Sequence, residues 1–231
     1  MIQIIPSAQR HHQDFGWLST RWHFSFDSYY DPKNVQWGAL RVFNDDVVQP
    51  GQGFGRHGHR DMEIISYVLQ GSLAHADSLG TQHELKAGEV QVMSAGAGIM
   101  HSEYNGSETD PAHFLQLWIL PRTKGSKPRW EQRAFGSRAG KLLPVVSSGA
   151  IPDTLAIDQD ATIFLSELKP GEDVVHTMAT DRKAYLFVIR GAVELNGNAL
   201  NAGDQGRVEG ETELRIRATA DAEFMLLDLP Q

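Results

Sequence analysis

The chain has 231 residues, 22% of them charged and 41% hydrophobic, with 22 Gly, 10 Pro and no Cys. That length suits one large domain or two small ones, and the lack of Cys excludes a disulfide scaffold, thiolate metal sites, iron–sulfur clusters and cysteine nucleophiles. Lys and Arg number 21 against 29 Asp and Glu, a net charge of −8 that provides no global basic field for nucleic acid.

The opening MIQIIPSAQRHHQDF lacks the basic and long apolar regions of a secretory leader. No apolar run approaches the roughly 20 residues of a membrane helix. The expectation is a soluble, cytoplasmic protein that contacts neither membrane nor nucleic acid.

Taken in order, the runs Trp37–Phe43, Glu63–Leu69, Phe114–Leu120 and Ala184–Ile189 are short, apolar and rich in β-branched or aromatic residues. Turn-forming Gly, Pro, Asn or Asp lie close by, as strands with tight connections require. No segment sustains an i, i+3, i+4, i+7 pattern, so helices are expected to be few and short. The fold class predicted is mainly β, a sandwich or barrel. Between Pro121 and Asp160 the pattern loosens into Gly, Pro, Ser and basic residues, with a short strand near Trp130–Ala134. This stretch is expected to connect two lobes, residues 1–140 and 141–231.

The lobes look related. Pro50-Gly51 precedes a strand ending at Gly71, and Pro170-Gly171 precedes one ending at Gly191 at the same separation. Ala87-Gly88-Glu89 is echoed by Ala202-Gly203-Asp204. Matched turns around matched strands predict a duplicated β-domain.

The chemistry is concentrated in the first lobe. His57-Gly58-His59 sets two imidazoles two residues apart, and His101-Ser102-Glu103 does the same for an imidazole and a carboxylate. Residues i and i+2 of a strand project from one face, so each pair can converge on a point inside a barrel. Two such strands side by side would supply three nitrogens and one oxygen, a ligand set for one divalent transition metal ion. Gly51, Gly53, Gly55 and Gly58, then Gly96 and Gly98, crowd the two pairs and allow close backbone approach. Glu63 has the parity of a same-face neighbour of His57 and His59, so spacing alone leaves both Glu63 and Glu103 open as the carboxylate ligand.

These segments resemble the cupin superfamily. Gly51-x5-His57-x-His59-x3-Glu63-x7-Gly71 follows the first cupin motif with one extra residue before the last Gly. Gly88-x5-Ser94-x-Gly96-x4-His101-x3-Asn105 follows the second, with Ser for Pro and two additional residues before the His. With GWLSTRWHFSF, GALRVFNDD, DMEIISYVLQGSLAHADS and SAGAGIMHSEYN, the match is similar to the pirin family and its bacterial quercetin dioxygenase branch. The resemblance implies a bicupin, two jelly-roll domains in one chain. It also implies His57, His59, His101 and Glu103 as metal ligands, Glu103 as the group that takes a substrate proton, and Glu63 nearby in support. Iron leads the expected metals, ahead of Mn, Ni, Co, Cu or Zn. The implied reaction opens the central ring of a flavonol such as quercetin with O2 and releases carbon monoxide. The competing implication is a metal-binding regulatory or redox-sensing protein that contacts a protein partner.

Superposing Gly51 on Gly171 sets Thr177, Ala179 and Lys183 opposite His57, His59 and Glu63, so the second lobe is expected to be metal-free, with His176 at the surface or hydrogen-bonded. Gly53-x-Gly55-x-x-Gly58 matches a dinucleotide fingerprint by letter but is followed by a strand-like run rather than a helix. Gly136-x3-Gly140-Lys141 is one residue short of a phosphate loop and continues with Leu. His11 and His12 are expected in solvent, His75 and His83 on a polar hairpin face, and His23 in the core. Phe43, Phe54, Met100, Phe114 and Trp118 are candidates for a pocket wall, with core packing expected for most. A monomer is the default.

Overall fold

A computed structural model describes residues 1–231 as an almost purely β protein whose one helical element is a 3-10 turn at Ser7–Gln9. No helix is long and apolar enough to cross a membrane. Each lobe is a sandwich of a seven-stranded and a four-stranded sheet. Counting eight strands from Leu40–Val48 in the first lobe and from Thr162–Leu168 in the second, both lobes follow one course. The small sheet runs second, seventh, fourth, fifth, and the large sheet contains sixth, third, eighth, first. That shared jelly-roll path is the duplication read from the paired glycine landmarks.

The apolar runs are continuous rather than alternating because the large sheets are covered on both faces. Along Glu63–Gln70, Ile65 and Tyr67 enter a core of 23 buried residues that both lobes share, while Ile64 and Val68 face the inside of the first lobe. Lys183–Arg190 repeats the division, with Tyr185 and Phe187 in the shared core and Ala184, Leu186 and Val188 inside the second lobe. The lobes are therefore packed sheet to sheet through aromatic and aliphatic side chains.

Three elements differ from expectation. The strand anticipated at Trp37–Phe43 begins at Leu40 and runs on to Val48, because Trp37 and Leu40 bond to each other across a turn held by Gly38 at φ +54°. Its continuation, Asn44-Asp45-Asp46, is polar yet buried, since these side chains serve a site and an ion pair rather than solvent. The Pro121–Asp160 stretch is more than a connection: it holds the strand expected near Trp130–Ala134, as Arg129–Ala134 on the edge of the first large sheet, and adds the unanticipated Leu143–Ser147 and Leu155–Ala156 on the edge of the second. Finally, Ile2–Ile5 crosses over and pairs with Gln205–Glu209, so the N-terminus completes the second lobe's sheet.

Candidate metal centre

The small sheet of the first lobe places the predicted residues. Gly53–His59 lies beside Ile99–Asn105, with His57 directly opposite His101. A bulge between His101 and Glu103 then pairs Glu103 with Phe54. Along Ile99–Asn105 burial alternates, and Ile99, His101, Glu103 and Asn105 all point inward. The rings of His57, His59 and His101 converge, with centroids 4.4–4.9 Å apart and one ligand nitrogen from each within 4.8 Å of the others.

The glutamates differ in placement. A Glu103 oxygen lies within 4.8 Å of ring nitrogens of His101 and His75, so Glu103 joins the cluster through His101 rather than through His57 or His59. Glu63 lies on the large sheet, where its Oε2 accepts the Ser94 hydroxyl at 2.6 Å, and it belongs to neither convergent group.

The protonation pattern suits a cation. His57 Nδ1–H donates to the Gly55 carbonyl at 2.8 Å, which leaves its Nε2 lone pair free. Burial, then the neighbouring His101 and His57 rings, pull His59 down to about 4. Burial, followed by His57 and His75, pulls His101 down to about 3. Both rings are neutral at physiological pH, as ligation requires. His101 is 1% exposed and neither of its nitrogens has a hydrogen-bond partner; Glu103 Oε1 is likewise buried and unpartnered, while Oε2 accepts from Gln116 Nε2 at 2.7 Å. Orphaned buried donors and acceptors are rare in folded proteins, and here they fit a divalent ion held by nitrogen and carboxylate oxygen.

The centre opens into a cavity of about 630 Å³ walled by Phe15, Trp17, Trp22, Phe26, Phe54 and Trp118, with Asn44, Asp46, Gln116, His57, His59 and Glu103 among its polar lining. Trp118 packs edge-on against His59 at 4.8 Å. Asp46 is pushed up to about 7, mainly by burial and further by the carboxylates of Asp45 and Glu103. Of the pocket-wall candidates, Phe54 and Trp118 reach the cavity, Phe43 and Phe114 are fully buried in cores, and Met100 is exposed and lies outside the cavity lining.

Sequence reasoning missed His75. It is buried with its Nε2 on Asp77 Oδ2 at 3.1 Å, in place of the polar hairpin face expected. The signal was present: His75-x-Asp77 repeats the two-residue spacing of the other pairs. His83 is exposed and stacks on Trp130, and His12 is exposed, but His11 is sandwiched between Trp22 and Tyr29. His23 sits in the core, bonded to Tyr185. His176 bonds to Asp228 at 2.8 Å. In the second lobe the equivalent interior is filled by Leu186, Val188, Leu195, Leu214 and Ile216, and both convergent ligand groups lie in the first lobe.

Comparison with known proteins agrees with this architecture. The pirin family model matches residues 6–119, and the model of the quercetinase C-terminal cupin domain matches residues 144–229. The chain is 44% identical over 231 residues to quercetin 2,3-dioxygenase of Escherichia coli K12, covering 100% of this chain and 99% of the relative. It is 45% identical over 231 residues to a pirin-like protein of Caulobacter vibrioides, covering 99% of each. The crystal structure of the bacterial pirin YhhW from Escherichia coli in complex with nickel(II) superposes with a TM-score of 0.96 at 42% identity, over 100% of this chain and 99% of that one. With both lobes matched and the whole length aligned, the chain belongs to the pirin family of two-lobed cupins.

Proposed function

We propose that the chain is a flavonol ring-cleaving dioxygenase of the quercetin 2,3-dioxygenase type, with His57, His59, His101 and Glu103 holding one divalent metal ion. The observation that carries this reading is the set of unpartnered buried ligand atoms at the base of an aromatic cavity of about 630 Å³. A polyphenol needs flat apolar walls together with a few convergent polar groups, and this cavity has both. The chemistry shown by name for the relative at 44% identity points the same way.

When bound, the metal supplies Lewis acidity that lowers the pKa of a coordinated hydroxyl. The chain's own part is positioning and proton handling. Trp17, Phe54 and Trp118 offer ring faces and edges to a flat substrate and keep bulk water away. Gln116 fixes Glu103 through Oε2, and in turn accepts from Trp118 Nε1 at 3.2 Å. Glu103 Oε1, the oxygen that would face the ion, keeps a second lone pair with which to accept the proton of the substrate's hydroxyl. The deprotonated, electron-rich flavonol then reacts with O2, and its central ring opens with loss of carbon monoxide.

Iron is the ion proposed for the working enzyme, and nickel is the ion seen in the related bacterial pirin. We place the chemistry in the lobe up to residue 140 and assign residues 141–231 to packing and to shaping access. Each copy carries a full ligand set, so a monomer in the cytoplasm suffices. The test is oxygen uptake and carbon monoxide release with quercetin after loading with iron, nickel, manganese, cobalt, copper and zinc in turn. Turnover with at least one metal is expected; none with any would overturn the reading.

A further inference from the structure

A second cavity, of about 490 Å³, lies where the lobes meet, between the N-terminal arm, the Asp31–Trp37 loop and the second lobe's large sheet. It shares Trp22 with the metal pocket and is otherwise separate from it. Its floor holds Arg207, which is 5% exposed and has no carboxylate partner. The guanidinium donates through Nη2 to neutral acceptors alone: the His23 carbonyl at 3.1 Å, Asn34 Oδ1 at 2.8 Å and Gln205 Oε1 at 3.3 Å. Its Nε bonds to nothing.

Three other sequestered arginines are paired with acids. Arg10 meets Asp45 at 2.8 Å, Arg138 meets Glu167 and Glu223, and Arg182 meets Asp160 and Asp228. A buried charge costs several kcal/mol unless an opposite charge accompanies it. Arg207 stands out as a buried cation that looks into a cavity and lacks its counter-ion. Around it stand Lys33, which makes no ion pair, and Lys183, whose closest carboxylate is Glu209 at 3.9 Å. Arg10 is also on the wall but is already neutralised by Asp45. Asp31 is the acid on the wall, and its Oδ1 is occupied by the Lys33 amide. Arg207 and Lys183 also lie over the Phe24 and Trp37 rings, each 4.6 Å from the centroid, which are neutral partners. Three cations with no close carboxylate thus face one acid, in a chain whose overall charge is −8.

We propose that this inter-lobe cavity binds a small oxyanion, a phosphate or a carboxylate, between Arg207, Lys33 and Lys183. The planar guanidinium offers paired donors suited to either group, and the lysines supply adjustable point charges. The test is isothermal titration of the full chain with inorganic phosphate and, separately, with malonate, each against chloride at matched ionic strength. Saturable binding of either anion is expected; phosphate alone, malonate alone or both identifies the class. Lys33→Ala and Lys183→Ala should each weaken binding about tenfold, the value of one charge-assisted hydrogen bond, and Arg207→Gln should abolish it. Because Arg207→Gln also removes three internal bonds, the two lysine variants carry the test if that variant fails to fold. The isotherm should be unchanged after the metal is stripped. Absence of saturable binding, binding unaltered in a Lys33→Ala/Lys183→Ala double variant, or binding lost with the metal would each overturn the assignment.

Discussion

His75 Nε2–H donates to Asp77 Oδ2 at 3.1 Å, and both side chains are wholly excluded from solvent on the strand adjoining the one that carries His101. The bond fixes the proton on Nε2 and leaves Nδ1 as an unpartnered lone pair. A His75 ring nitrogen lies within 4.8 Å of ligand atoms of His101 and Glu103. Partners that orient metal-binding imidazoles commonly change affinity by about 10–100-fold when altered. Asp77→Asn keeps an oxygen for the Leu79 and Thr81 amides that Asp77 Oδ1 now accepts. It presents an N–H to His75 and so drives the imidazole into the opposite tautomer. Metal affinity is expected to fall about tenfold in Asp77→Asn, measured by competition with a chromophoric chelator, with the thermal midpoint little changed. Affinity equal to wild type would mean that His75 is merely packed there.

The two glutamates make a sharper contrast. Glu103 is buried with a free oxygen beside His101, whereas Glu63 is committed to Ser94 at 2.6 Å. Glu103→Gln is expected to lose stoichiometric metal and flavonol turnover, while Glu63→Gln retains both. His59→Ala and His101→Ala should likewise lose the metal, and His176→Ala should keep it, since His176 is engaged with Asp228 in the other lobe. Elemental analysis of the five purified variants reads the outcome directly. Metal loss in Glu63→Gln alone would reverse the assignment of the carboxylate.

The parts legible in the sequence are those governed by a period of two. His-x-His, His-x-Glu and the apolar runs each announce which side chains share a strand face, and paired glycine landmarks announce the repeat. What stayed hidden depends on which strands become neighbours. Asp46 and Asn44 reach the cavity only because Leu40–Val48 pairs with Ala112–Ile119, setting Asn44 beside Gln116. The shared core was equally opaque: Tyr67 and Tyr185 look like ordinary strand residues until the two large sheets are seen face to face. Ile2–Ile5 gives no local sign that it pairs some 200 residues away, with Gln205–Glu209.

Gly96 ties the second motif to backbone geometry. Its φ is +47°, and a Cβ there would stand 2.1 Å from the Ser126 carbonyl oxygen, the same oxygen that accepts the Ala97 amide at 2.8 Å. Alanine is therefore opposed both by conformation and by a backbone atom that cannot swing aside. Gly96→Ala is expected to cost about 2–3 kcal/mol in urea unfolding. It should also weaken metal binding, because the following strand begins at Ile99 and carries His101 two residues on. A variant with wild-type stability and affinity would show that the loop relaxes freely.

Acid sensitivity should centre on Asp45. Burial alone would push its carboxyl up, but the hydrogen bond and charge of His113 at 2.6 Å, followed by those of Arg10 at 2.8 Å, hold it well below the usual aspartate range. A carboxylate depressed in the folded state releases its proton more readily there than in the unfolded chain. Its contribution is therefore fully present above the unfolded aspartate value of about 4 and is lost as pH falls toward the folded value. Asp45→Asn leaves Arg10, whose side chain is 5% exposed, as a buried cation without its partner. The variant is expected to be less stable by about 3 kcal/mol at pH 7, with the gap to wild type closing as pH drops below about 4. Urea midpoints measured from pH 8 down to pH 2 would reveal that convergence, which begins near the unfolded aspartate value of about 4 and deepens as the pH falls further. Parallel curves across the acid limb would place the acid-labile linkage elsewhere, with Asp228 next in line: its carboxyl is also held down, by His176 and Arg182 acting against burial.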